Sequence, residues 1–262
     1  MPASALMNVM VAAVRKAGRS LSRDYGEVAQ LQVSVKGPGD FVSAADMKAE
    51  DILYRELAKA RQGYSFLMEE RGEVAGDDKT HRWIVDPLDG TTNFLHSIPL
   101  FAISVALERE GEIVAGVIYN PAADELYTAE KGKGAFVNDR RLRVASRRAL
   151  SDCVVAVGVP PRGRIGHKQF LGECAAAMRE TAGVRSTGAA SLDLAGVASG
   201  RFDAYIERGL KPWDIAAGIL LVREAGGKVT DSGGGEKMLA TGDVLAANNQ
   251  IHKLFSSLLA GA

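Results

Sequence analysis

The sequence has 262 residues, 47% of them hydrophobic, and its 32 Lys and Arg are balanced by 32 Asp and Glu. That length suits one large or two small domains with a buried core, and the apolar content excludes a disordered chain. A formal net charge of zero argues against coating nucleic acid or an anionic membrane as the main task. The longest apolar run, Ile98 to Leu107, already contains Pro99 and Ser104 and falls well short of the roughly 20 residues of a bilayer span. The apolar stretch from Leu6 to Val14 has no basic region ahead of it and runs into Arg15-Lys16, so no signal peptide is expected. Cys153 and Cys174 offer neither a disulfide framework nor zinc spacing, and the expected location is cytoplasmic.

In chain order, Leu6, Met10 and Val14 recur at helical spacing and predict a first helix. A second is predicted from about Ser43 to Arg61, with Ala45, Ala49, Ile52, Leu53 and Leu57 on one face. Between them, Lys36-Gly37-Pro38-Gly39-Asp40 reads as a mobile Gly/Pro loop. From Trp83 the pattern changes to strands: Trp83-Ile84-Val85, then a hairpin of Phe101–Leu107 and Ile113–Tyr119 around Glu110-Gly111, then a second hairpin across Gly134–Val144 around Asn138-Asp139. Beyond about residue 150 strands at Cys153–Val157 and Ala204–Glu207 alternate with helices at Gln169–Thr181, Ala190–Ser199 and Trp213–Ala225, and a last helix follows Asn248-Asn249. The reading is two α/β halves, residues 1–145 and 146–262.

The most informative stretch is Trp83-Ile84-Val85-Asp86-Pro87-Leu88-Asp89-Gly90-Thr91-Thr92-Asn93-Phe94. A buried strand ends in a carboxylate, Pro87 forces the chain outward, and Asp89-Gly90 turns it back. Two carboxylates at one strand end can converge on a cation, and Gly90 lets backbone amides approach an anion. Taken alone, Asp-Pro and Asp-Gly are ordinary turn signals.

The whole string resembles the first motif of the inositol monophosphatase family, and Trp213-Asp214-Ile215-Ala216-Ala217-Gly218, with Glu224-Ala225-Gly226-Gly227 after it, resembles the second. Within the family, Leu192-Asp193-Leu194-Ala195 and Leu210-Lys211-Pro212-Trp213-Asp214 resemble the bacterial SuhB-like branch. The resemblance implies a mixed α/β (α+β) fold, a layered αβαβα sandwich of the inositol monophosphatase and fructose-1,6-bisphosphatase type, with the first half carrying most metal ligands and the second carrying Asp214 and the substrate side. It implies Glu69, Asp86, the carbonyl of Leu88, Asp89 and Asp214 as ligands of two or three Mg2+ ions, the third near the Lys36 loop. It implies Thr91, hydrogen-bonded to Asp46, as the pair accepting a proton from the attacking water. It also implies Gly90, Thr91 and Thr92 at the phosphate, and Glu207 and Ala190 at the substrate alcohol. Two carboxylates about 4 Å apart repel by about 4 kcal/mol at an effective dielectric of 20, so a cluster of them calls for cations, and oxygen donors favour magnesium over zinc.

Each residue also has a plainer reading. Ser43-Ala44-Ala45-Asp46 fits a helix-capping box, Glu69-Glu70 alone is solvated surface, and Asp214 at a helix start complements the dipole. Glu207 alone is a strand end facing solvent. Met68 departs from the small residue the family usually places before the first Glu, which leaves Glu70 as the alternative ligand. The implied reaction is lithium-sensitive hydrolysis of a phosphate monoester such as inositol 1-phosphate, in a homodimer. Fructose 1,6-bisphosphate, histidinol phosphate and 3′-phosphoadenosine 5′-phosphate remain as alternative substrates. So does a SuhB-like role in binding RNA or RNA polymerase, for which the basic cluster Arg140, Arg141, Arg143, Arg147 and Arg148 is available. Haloacid-dehalogenase, P-loop and serine-hydrolase signatures are absent.

Overall fold

In the computed structural model, described over residues 4–27, 33–37, 40–160 and 166–261, the stripe that begins at Leu6 continues through α1 (Ala5–Tyr25). Met10, Val14, Ala17 and Leu21 are buried on one face, and the Ser4 side chain caps the first turn. β1 (Val33–Gly37) and β2 (Asp40–Ser43) pair antiparallel. Lys36, Gly37 and Asp40 therefore belong to strands where the sequence suggested a loop, because β-branched Val33, Val35 and Val42 favour extended backbone. Pro38 and Gly39 lie outside the described residues. α2 (Ala44–Ala60) follows at once.

A large sheet then forms from β3 (Ser65–Met68), β4 (Gly72–Val74), β5 (His81–Asp89), β6 (Ala102–Arg109), β7 (Glu112–Asn120), β8 (Glu125–Glu130), β9 (Gly134–Val137) and β10 (Arg140–Arg141), with the short helix α3 (Thr91–Leu95) between β5 and β6. Its order is β10-β9-β8-β7-β6-β5-β3-β4, antiparallel apart from the β3–β5 pair. Both expected hairpins form. Their turns place Glu110 and Gly111 at φ 53° and 82°, and Asn138 and Asp139 at 43° and 65°, the paired positive φ that matches the twist of two strands.

The second sheet takes β11 (Val154–Val157), β12 (Gly183–Arg185), β13 (Ala204–Glu207), β14 (Lys228–Thr230) and β15 (Val244–Ala247), in the order β12-β11-β13-β15-β14. It is interleaved with α4 (His167–Glu180), α5 (Ala190–Ala198), α6 (Pro212–Glu224), α7 (Met238–Thr241) and α8 (Asn249–Ala260).

Side-chain alternation sets the layers. In β5, Trp83 and Val85 pack with Met10, Leu53 and Leu57 of α1 and α2, while Ile84 points the other way, to Leu194 and Leu220 of α5 and α6. The α5–α6 layer also packs on Ala156, Tyr205 and Ala246 of the second sheet, whose far face holds Ala177, Ile251 and Phe255 of α4 and α8. The order is αβαβα, as the motif resemblance implies. α6 lies between two sheets, so Ile215 to Val222 are all buried and the helix has no polar face there. Among the described residues, no helix is long and apolar enough to cross a membrane.

Candidate active site

The carboxylates gather where β5 ends. Asp86 pairs with Ser104 of β6 and Asp89 with Ala102, so three steps along β5 oppose two along β6. Residues three apart in a regular strand face opposite sides. The extra residue of this bulge returns Asp89 to the side of Asp86, and Pro87, which has no amide to donate, sits where the ladder is interrupted. Gly90 follows at φ +84°. A Cβ there would lie 2.9 Å from the Leu100 carbonyl and 3.2 Å from the Ala189 Cβ, so glycine is required on both grounds.

Glu69 reaches the cluster from the neighbouring strand. Met68 pairs in register with Val85, and the Glu69 amide donates to the Val85 carbonyl at 3.2 Å. Met68 is fully buried in the α1–α2 core. Alternation then turns Glu69 to the opposite side, where it is hydrogen-bonded to Asp86. The departure at Met68 thus leaves the Glu69 side chain aimed at the cluster. The Glu70 amide turns instead to Glu50 of α2 at 2.8 Å.

Asp214 comes from the first turn of α6, where its Oδ2 accepts from the Lys211 amide at 2.7 Å. It is both helix cap and member of the cluster. Asp86 and Asp214 each feel Asp89 and Glu69 as like charge. Burial, reinforced by Glu69, Asp89 and Asp214, raises the Asp86 carboxyl well above the ordinary range. Burial, then Asp89, does the same to Asp214. Asp89 is pushed up to about 6 by burial, against the opposing hydrogen bonds of Ser191 and of the Ala190 and Gly90 amides.

Thr91 opens α3. Its Oγ lies 2.9 Å from the Leu88 carbonyl and 3.2 Å from Asp46 Oδ1. A hydroxyl has one proton, so the two acceptors compete for it. Asp46 is fully buried. Its Oδ2 accepts from the Ser43 amide at 2.9 Å and hydroxyl at 2.5 Å, completing the capping box of α2. Burial lifts its pKa above the usual carboxylate value, although the Ser43 bonds oppose it. The capping and site readings of Asp46 therefore describe one arrangement, each oxygen serving one of them.

On the other side of the cleft, Ala190 begins α5 with its amide facing Asp89. Glu207 ends β13, half-buried, and accepts the Tyr205 hydroxyl at 2.5 Å. It lies near enough to Asp193 and Asp214 to raise both carboxyls. Lys36 lies in β1, but its side chain is outside the described residues. Among the described residues no three His, Cys, Asp or Glu side chains already converge as a metal-holding group. Glu69 and Asp86 share a hydrogen bond, and Asp86, Asp89 and Asp214 each commit an oxygen to the amide of Leu88, Ser191 or Lys211. The donor set is nonetheless all oxygen and anionic, which suits a hard divalent cation, and burial gives each carboxylate a reason to need one.

Several participants have no assigned role in the sequence reading. Ser191 donates twice to Asp89, Glu50 fastens the turn after Glu69, and Gly158 lies against Glu207. None carries a local signal, since each acts by proximity across the fold.

A sequence model of the inositol monophosphatase family matches residues 3–261. The chain belongs to the inositol monophosphatase family. A protein of Mesorhizobium japonicum named inositol-1-monophosphatase is 66% identical over 97% of this chain and 95% of its own. The Escherichia coli Nus factor SuhB is 40% identical over 95% of this chain and 93% of its own. The crystal structure of the suhB protein of Bartonella henselae superposes with a TM-score of 0.96 at 58% identity, covering 98% of both chains. The family read from the two motifs, and the branch read from Leu192–Ala195 and Leu210–Asp214, are thereby borne out. This inositol monophosphatase family member shares a phosphatase scaffold with both groups of relatives.

Proposed function

We propose that this chain is a magnesium-dependent, lithium-sensitive phosphate monoester hydrolase acting on inositol 1-phosphate. The observation that carries the reading is the gathering of Glu69, Asp86, Asp89 and Asp214 at the end of β5, in a chain whose relatives include proteins named inositol-1-monophosphatase. These four carboxylates and the Leu88 carbonyl would hold two or three Mg2+ ions, with the Lys36 segment beside the third. Magnesium bound there supplies Lewis-acid polarisation of phosphoryl oxygens and lowers the pKa of water.

The chain's own groups do the rest. The Thr91 and Thr92 amides, first-turn donors without an intrahelical acceptor, hold phosphate oxygens, joined by the Gly90 amide once it turns from Asp89. Thr91 takes a proton from the attacking water and passes its own to Asp46, whose raised pKa suits it to receive one. Glu207 and the Ala190 segment hold the alcohol, Glu207 by accepting from its hydroxyls. Residues 1–145 thus carry most metal ligands, and residues 146–262 carry Asp214 and the substrate side. The assembly is a homodimer and its location the cytosol.

The test is phosphate release from inositol 1-phosphate, 2′-AMP, fructose 1,6-bisphosphate, histidinol phosphate and 3′-phosphoadenosine 5′-phosphate, with and without magnesium and lithium. Preference for inositol 1-phosphate, lost without magnesium and blocked by lithium, is the expected result. Preference for another ester keeps the site and discards the substrate, while inactivity on all of them overturns the reading.

A second role has its own support. One group of relatives bears the name Nus factor SuhB, and Arg140, Arg141, Arg143 and Arg148 are exposed here. Arg147 is tied to Asp203 at 3.0 Å. Binding to a transcription complex through that face would survive Asp89→Asn in a magnesium-free pull-down. Binding lost with Asp89 and kept after replacing the arginines would exclude the face.

A further inference from the structure

We infer that Ser191 is a positioning residue for Asp89, and that it sets cation affinity from the opposite half of the molecule. Ser191 is fully buried in the first turn of α5. Its amide and its hydroxyl both donate to the same oxygen, Asp89 Oδ2, at 2.7 and 2.5 Å. Two donors on one atom from one residue fix the carboxylate's position and its rotation, which a single bond does not. The two residues lie 102 apart in sequence, so this contact joins the β5 bulge to the α5–α6 layer.

The contact belongs to a tight seam. Next to it, Gly90 admits Ala189 so closely that any side chain at Gly90 would collide. One turn further on, Asn93 donates through Nδ2 to the carbonyls of Thr187 and Leu100, both at 2.7 Å. α5 in turn lies on α6, where Leu194 occupies the space a side chain at Gly218 would need. α6 carries Asp214. Ser191 and the α5–α6 contact therefore join Asp89 to the helix that carries Asp214, alongside the direct bond from the Ser104 hydroxyl of β6 to the Trp213 carbonyl at 3.1 Å. Groups that orient a metal ligand from behind contribute about 10- to 100-fold in affinity.

This inference rests on Asp89 being a cation ligand. The experiment titrates Mn2+ by calorimetry into the parent protein, Ser191→Ala and Asp89→Asn, and measures the Mg2+ concentration for half-maximal phosphate release. Thermal unfolding without metal establishes that each variant is folded. Ser191→Ala keeps the amide bond and loses the hydroxyl, so Mn2+ binding weakens by about tenfold, equivalent to about 1.4 kcal/mol. Half-maximal Mg2+ rises by the same factor, while kcat at saturating Mg2+ changes much less. A folded Ser191→Ala protein with parent-like Mn2+ affinity overturns the inference, as does a fall in kcat with no change in half-maximal Mg2+. Parent-like Mn2+ binding by Asp89→Asn overturns the ligand assignment beneath it, so the two failures are separable.

Discussion

Gly158→Ala isolates what holds Glu207 in place. Gly158 follows β11, its amide donates to the Ile206 carbonyl at 2.9 Å, and a Cβ added there would lie 1.8 Å from both Cδ and Oε2 of Glu207. Gly158 is not among the positive-φ glycines, so alanine suits its backbone and the conflict falls on the Glu207 side chain from Cγ, at 2.2 Å, to the carboxylate. The Glu207 side chain must turn away, and Tyr205, whose ring is fully buried, then loses its acceptor. An unsatisfied buried hydroxyl costs about 1–3 kcal/mol, offset by about 0.4–1 kcal/mol from the stiffer unfolded chain. At about 2–4 °C per kcal/mol for a chain near this size, the melting temperature falls by a few degrees. The functional effect is larger, because displacing a charged acceptor from the alcohol costs about 1.5–3 kcal/mol, roughly 10- to 100-fold in kcat/KM for inositol 1-phosphate. Hydrolysis of p-nitrophenyl phosphate, which has no ring hydroxyls to recognise, changes little. In a Glu207→Ala background the same glycine substitution should cost nothing further on inositol 1-phosphate. Parent-like kcat/KM for inositol 1-phosphate in the single variant, or additive losses in the double, would refute the reasoning.

Three further outcomes follow from the same site. Asp86→Asn removes a buried charge among like charges while its carboxamide can still donate to Glu69; turnover should be lost and the melting temperature in EDTA should rise, and a fall in that temperature would contradict the repulsion. Thr91→Ala should lower kcat by about 10²-fold or more with KM little changed, and an unaltered kcat would move the proton-accepting role away from Thr91 and Asp46. Burial, then the charges of Glu207 and Asp89, push Asp193 from 3.8 up to about 8 against the Thr187 hydrogen bonds. The folded state then binds the extra proton, so the contribution of Asp193 to stability in EDTA is complete below pH about 4 and is lost as pH rises to about 8, by up to about 1.4 kcal/mol per unit. Denaturant melts across that range should show the parent losing stability relative to Asp193→Asn as pH rises; a constant difference would rule it out.

The elements legible in the sequence are those whose pattern is local. Ala204–Glu207 is a strand with the bounds its four residues suggest, and α6 departs from its expected start by one residue because Pro212 is suited to a first helical position. β8, β12 and β14 carry no strand signal in the sequence, since Glu125–Glu130 and Lys228–Thr230 mix polar and apolar residues and Gly183–Arg185 is too short to show a period. The motif carboxylates were legible as a string, but the reason they share a face was not. That depends on a bulge against β6, a pairing more than a dozen residues away.

Asp46 shows why such a site is readable in two ways at once. The bonds from Ser43 hold the Asp46 carboxylate in place, and a proton acceptor needs that fixed position together with the burial that raises its pKa. One oxygen meets the first demand and the other faces Thr91. Asp214 repeats the device at α6, capping the Lys211 amide while its charge faces Asp89. The fold thus places anionic groups at helix starts, where the backbone stabilises negative charge, and turns their remaining oxygens to one cleft. Removing the caps and removing the chemistry are then separable experiments: Ser43→Ala should loosen the start of α2 by about 1 kcal/mol. It should reduce turnover only insofar as Asp46 shifts from Thr91. A Ser43→Ala protein with full stability and lost turnover would mean that the hydroxyl acts in the proton transfer itself.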